Sequence, residues 1–179
     1  MAGFRALVAR AWVLVALGWS SAPAHAAPVL REAELVGQLR ALGVTVQIGG
    51  SCGSADQLAV YNMGANWLCL GDALQEGAEE RSKVLHHELV HVVQDCLDGL
   101  VTPTSMSLAE GLRGIGTLSQ PQLSGFFLQY LRNQGNVKHV VAATALLPQE
   151  SRQREIEAYA LQADPELVQH LFRQSCQLS

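Results

Sequence analysis

Residues Glu79 to Leu97 read EERSKVLHHELVHVVQDCL, and this stretch decides the fold. Val84, Leu85, Leu89, Val92, Val93 and Cys96 recur at spacings of three and four, the period of one helix face, and Asp98-Gly99 ends the run. Inside it lies His87-Glu88-Leu89-Val90-His91. Helix positions i and i+4 share a face one turn apart, so both imidazoles can reach one metal ion. The glutamate between them is placed to act as general base on a metal-bound water. His86 cannot share that metal, because consecutive helix residues diverge by about 100°. It is expected to be a packing or surface histidine.

Outward from this helix the pattern changes on the two sides. Upstream, Glu32 to Leu42 has helical spacing and stops at Gly43. Val44 to Ile48 alternates and is β-branched, and Leu58 to Tyr61 and Trp67 to Leu70 read as two further strands joined by the turn Asn62 to Asn66. Downstream, helices are expected near Met106 to Leu118, Pro121 to Arg132, Val137 to Leu147 and Glu150 to Ala163. A last one begins with Asp164 as N-cap and Pro165 at its first position. The expectation is one α+β domain, a small N-terminal β-sheet with a hairpin followed by a mostly helical half.

The N-terminus carries Arg5 and Arg10, an apolar run from Ala11 to Gly18, and Ala24-His25-Ala26. That order reads as a signal peptide, residues 1–26, leaving 27–179 as the mature domain. Removing 26 of 179 residues leaves 153, and 10 basic against 16 acidic side chains give a mature charge of −6. There is no basic cluster, so nucleic acid is a poor partner. No mature run approaches the roughly 20 apolar residues of a membrane span. The compartment implied is periplasmic or extracellular. Cys52, Cys69, Cys96 and Cys176 then read as two disulfides out of three possible connectivities. Cys52 and Cys69 flank the hairpin and are the favoured pair, leaving Cys96 with Cys176.

A catalytic zinc ion takes three protein ligands and keeps a fourth position open for water. The chain does not continue into an H-E-x-x-H-x-x-G-x-x-H frame, so the third ligand should come from a later element. Arg154-Glu155-Ile156-Glu157-Ala158-Tyr159 supplies candidates. H-E-L-V-H followed by E-I-E-A resembles the gluzincin class of metallopeptidases, and more distantly the E-x-x-A-D pattern of CAAX-protease-like and periplasmic quality-control peptidases. His91-Val-Val-Gln-Asp-Cys96, with the hairpin cysteines before it, also resembles small exported HExxH proteins of unassigned activity. The resemblance implies a zincin-like fold, Zn²⁺ as cofactor, Glu155 as third ligand and Ala158 as the small residue where two helices approach. Tyr159 stands where that family has an aspartate supporting a histidine ligand. Glu157 is the competing ligand, since a Glu-Ala pair also matches the thermolysin-type pattern. The two glutamates point to nearly opposite sides of a helix, so only one can serve.

Asp95, four residues after His91, is a candidate to orient that ring. Tyr130, His139, Tyr159 and His170 are candidates to stabilise an oxyanion. Trp67 to Leu70 is the candidate edge strand for an extended peptide. Two functions follow as expectations. One is a zinc metallopeptidase acting on a peptide or protein substrate, with Glu88 as general base. The other is a catalytically idle zincin scaffold that binds a protein partner.

Overall fold

A computed structural model of the chain describes residues 28–53, 57–74, 78–100, 102–114 and 119–176. The segment read as a signal peptide lies outside them. Helix α1 (Glu32–Ala41) ends before Gly43, which takes the left-handed φ of +85° that a side chain would resist. Three strands follow: β1 (Thr45–Ile48), β2 (Ala59–Asn62) and β3 (Trp67–Leu70). A 3₁₀ turn, Met63–Ala65, joins the last two, and the Asn62 side chain caps it by accepting from Ala65 N at 3.1 Å.

The strand order is β1-β3-β2, with β3 parallel to β1 and antiparallel to β2. Trp67–Leu70 is therefore the central strand, correcting its reading as the substrate-facing edge. The reason lies in its composition: Leu68, Cys69 and Leu70 are all fully buried, and an unbroken apolar run suits a strand covered on both faces. The edge nearest the HExxH helix is β2, whose AVYN mixes apolar and polar residues.

The helical half comprises α2 (Glu79–Asp98), α3 (Leu108–Gly111), α4 (Gln120–Gln134), α5 (Val137–Thr144), α6 (Gln149–Leu161) and α7 (Pro165–Ser175). The architecture is α+β, a three-stranded sheet followed by a mostly helical half. Helix α2 is its axis, packed by α6, α7, α3 and β2. Leu85, Leu89, Val92 and Val93 of α2 are buried at 1% exposure or less. Truncating one such leucine to alanine costs about 2–5 kcal/mol. Gly99, at φ +110°, ends the helix and returns its N–H to Asp95 O. Ala158 of α6 is fully buried, and α6 packs on α2.

Two helices are shorter than the sequence suggests: α5 stops at Thr144 rather than Leu147, and α3 is cut back further. Instead of one element over Met106 to Leu118, α3 runs only from Leu108 to Gly111 and passes into a 3₁₀ turn, Leu112–Gly114. Residues 115–118 lie outside the described set. A Cβ on Gly111 would meet Leu97 Cδ1 at 2.7 Å, so the glycine permits the close contact with α2 and weakens the helix at that point. At the other end, Asp164 caps α7 by accepting from Leu167 N, with Pro165 in its first turn.

Both expected disulfides are present. Cys52–Cys69 ties the segment after β1 to β3, and Cys96–Cys176 ties α2 to the end of α7. Their separations of 17 and 80 residues correspond to about 3 and about 4.5 kcal/mol of loop-closure entropy removed from the unfolded chain. Among the described residues no helix is long and apolar enough to cross a membrane.

Candidate metal centre

His87, His91 and Glu155 converge. The Nε2 atoms of the two imidazoles lie 3.3 Å apart. Glu155 of α6 sets one carboxylate oxygen 3.3 Å from His87 Nε2 and the other 3.3 Å from His91 Nε2. Two atoms each about 2.0–2.1 Å from a tetrahedral ion lie about 3.3 Å apart, so the spacing fits a small divalent metal. The side chains are 12%, 13% and 31% exposed, so the cluster sits in a partly buried recess still open on the carboxylate side.

The far side of each ring explains why the Nε2 atoms face inward. His91 Nδ1 lies 2.8 Å from Gln94 Oε1, and His87 Nδ1 lies 3.3 Å from Gln162 Oε1. An amide oxygen only accepts, so each Nδ1 is a donor and the neutral ring turns its Nε2 lone pair toward Glu155. Two lone pairs and a carboxylate at such spacing call for a cation. Without a metal, a proton fills that role. Burial opposes the charged form of His91, but the hydrogen bond to Glu155 and the charges of Glu88 and Glu155 outweigh it and push the ring up to about 9. Burial would raise the Glu155 carboxyl, yet the two histidines hold it well below the usual carboxylate range.

Glu88 lies between the two histidines in sequence and against β2 in space. Its Oε2 accepts from the Tyr61 N–H at 2.7 Å. Its Oε1 has no hydrogen bond among the described residues. Tyr159 packs its ring edge-on to His87 with 4.6 Å between centroids. It thus covers the imidazole from the position where the resembled family has an aspartate, and Gln162, one turn nearer the helix end, takes the Nδ1–H instead. Burial raises the Tyr159 hydroxyl, and the charges of Glu155 and Glu88 add to the rise.

Two acidic residues read as site candidates are used elsewhere. Glu157 is fully buried and accepts from Gln94 Nε2, Gln153 Nε2, Leu108 N and Ala109 N at 2.6–3.1 Å. It serves the start of α3 and is not in the metal cluster. Burial pushes its carboxyl up, and the four donors pull it back. Asp95 is fully buried, and its Oδ2 pairs with Tyr61 Oη at 2.5 Å while its Oδ1 has no partner. It does not hold His91: Tyr61 of β2 takes its Oδ2, and the Nδ1 of His91 faces Gln94 instead.

The other candidates separate in the same way. Tyr130 gives its hydroxyl to Asp164 Oδ2, and His139 meets Tyr159 edge-on with 6.1 Å between ring centroids. His170 lies on α7, with a pKa lowered by burial and by Arg173. His86 is buried and bonded at both nitrogens, to Ser82 O and to Gln169, as a packing histidine should be. Sequence reasoning missed Gln94, Gln162 and Tyr61. The signals for Gln94 were its place in the His91-Val-Val-Gln-Asp-Cys96 run and a polar residue three positions after His91 on a buried face.

The fold and the site together define an α+β chain with a two-histidine, one-glutamate centre able to hold a metal ion. Comparison with protein-family models, curated proteins and solved structures finds no match.

Proposed function

We propose that the protein is an exported zinc metallopeptidase, with His87, His91 and Glu155 as zinc ligands and Glu88 as general base. The observation that carries this is the donor set: two imidazole Nε2 atoms and a carboxylate at 3.3 Å spacings, with both Nδ1 atoms facing amide oxygens. Two nitrogens and one carboxylate suit zinc, and a three-ligand protein set leaves one position for water. Zinc held there supplies Lewis-acid activation of a water and a carbonyl. Glu88 takes the water's proton at Oε1 while Oε2 keeps the Tyr61 N–H, so the base is held in place by the sheet edge. Strand β2 is the edge to which an extended peptide would add. The two disulfides favour an oxidising compartment, periplasmic or extracellular.

The experiment is Glu88→Gln. The amide oxygen can still accept from Tyr61 N but can no longer take a proton. The variant should keep zinc and its melting temperature while hydrolysis of a peptide library falls by at least about 10²-fold. Unchanged hydrolysis overturns the mechanism.

A second reading rests on the same hydrogen bond. A carboxylate committed to a backbone N–H also suits a zincin scaffold that keeps metal and binds a protein partner without turnover. A zinc-loaded wild type that leaves every library peptide intact would favour it.

A further inference from the structure

His91 owes its orientation to a residue that never meets the metal. Gln94 Nε2 donates to two groups that can only accept, Glu157 Oε2 at 2.9 Å and the Arg154 carbonyl at 3.1 Å. Those contacts fix which way the amide faces. A flipped amide would set its oxygen against both acceptors and deprive each of a donor. The Gln94 oxygen therefore points at His91 Nδ1, 2.8 Å away.

Glu157 is itself fixed. Its four partners are all N–H donors, so neither carboxylate oxygen has an acceptor to which it could give a proton. Two of the donors are the backbone N–H groups of Leu108 and Ala109 at the start of α3. Both Gln94 and Glu157 are fully buried, so water cannot substitute for any of these bonds.

We infer that Gln94 and Glu157 are positioning residues that select the Nδ1–H tautomer of His91 and so present its Nε2 lone pair to the metal. The inference rests on the metal-centre reading above. The chain of command runs from the backbone of α3 through Glu157 and Gln94 to the ring. Glu157 thus serves the centre from behind, on the opposite side of α6 from Glu155. Tautomer selection by an outer partner is what tunes a histidine ligand, and losing such a partner commonly lowers metal affinity 10–100-fold.

The test uses the full mature chain with both disulfides formed, as wild type, Gln94→Met and Glu157→Gln. Methionine fills the same volume without the amide. Glutamine at position 157 keeps one acceptor oxygen for the four donors around it and weakens the hold on the Gln94 amide, which the Arg154 carbonyl then secures alone. Long-range ¹H–¹⁵N spectra of the metal-free proteins, taken above the pH at which the ring is seen to titrate in the same spectra, report the tautomer directly. Zinc affinity is read by competition with a chromophoric chelator. Wild type should show the Nδ1–H form. Gln94→Met, which removes the acceptor from Nδ1, should lose the Nδ1–H preference and bind zinc 10–100-fold more weakly, and Glu157→Gln, which does not touch the ring, should shift both readings the same way by less.

An unchanged tautomer with zinc affinity within twofold of wild type overturns the inference. If Glu157→Gln does not fold, Gln94→Met decides by the same two readings. A wild type that binds no zinc overturns the metal centre instead, and the metal-free spectra still report on the relay.

Discussion

Glu155 and Glu157 stand two residues apart on α6, and their surroundings differ in kind. Glu155 faces the two imidazole Nε2 atoms and solvent, with no amide N–H donor among the described residues. Glu157 faces four N–H donors and no cation, fully buried. Residues two apart on a helix diverge by about 200°, so the rotation of α6 against α2 assigns the roles. The lesson concerns what a carboxylate needs. N–H dipoles satisfy the one in the core outright, whereas the one among lone pairs is complete only with a proton or a metal.

The comparison breaks most sharply if the two glutamates are removed in turn. Glu155→Ala should weaken zinc binding by roughly two to three powers of ten, taking a third of the about 10 kcal/mol that a protein ligand set supplies. Its effect on metal-free stability should be small only above pH 9, where the His91–Glu155 pair no longer stabilises the fold. Glu157→Ala should do the reverse, lowering stability by about 3 kcal/mol in urea unfolding because buried donors lose their acceptor. Its zinc affinity should fall only through Gln94. A Glu157→Ala variant as stable as wild type would contradict the difference drawn here.

A second way to sharpen it is pH. The metal-free pair of His91 and Glu155 stabilises the fold through shifted protonation. His91 is raised from 6.5 to about 9, so its contribution is full below 6.5 and is lost as pH rises through 9. Glu155 is lowered from 4.5, so its contribution is present above 4.5 and is lost only as pH falls below that. Metal-free protein should therefore be most favoured by this pair between pH 4.5 and 6.5, and its melting temperature should decline from pH 6.5 to 9. Zinc must displace the His91 proton, so its apparent affinity should rise about tenfold per pH unit between pH 7 and 9. An affinity flat across that range would remove the proton from the account.

The smallest effect expected is at Asp95. Its carboxylate meets Tyr61 and not His91, so Asp95→Asn should leave zinc affinity within about twofold, against roughly tenfold or more for a true partner of the ring.

Much of this was legible in the sequence. The period of Val84 to Cys96, the stop at Gly99, the hairpin turn at Asn62 to Asn66 and the pairing of the cysteines all depend on local pattern or chain proximity. His87 and His91 share a face by helix geometry alone. Strand order was not legible, because the insertion of β3 between β1 and β2 is a long-range choice. Continuous burial of Leu68 to Leu70 was its one local trace. The partner of His91 was missed for a similar reason. Asp95 and Gln94 are both polar and within a turn of the ring, and the choice between them depends on Tyr61 and Glu157, which other elements bring in.

The central claim is that His87, His91 and Glu155 form a metal centre. X-ray absorption at the zinc edge, on wild-type protein loaded with one equivalent and desalted, tests it most directly. The account predicts a four-coordinate ion with two imidazoles and oxygen ligands at about 2.0–2.1 Å and no sulfur. A folded, disulfide-intact chain that leaves the column without zinc, or a spectrum with sulfur ligands, would contradict it.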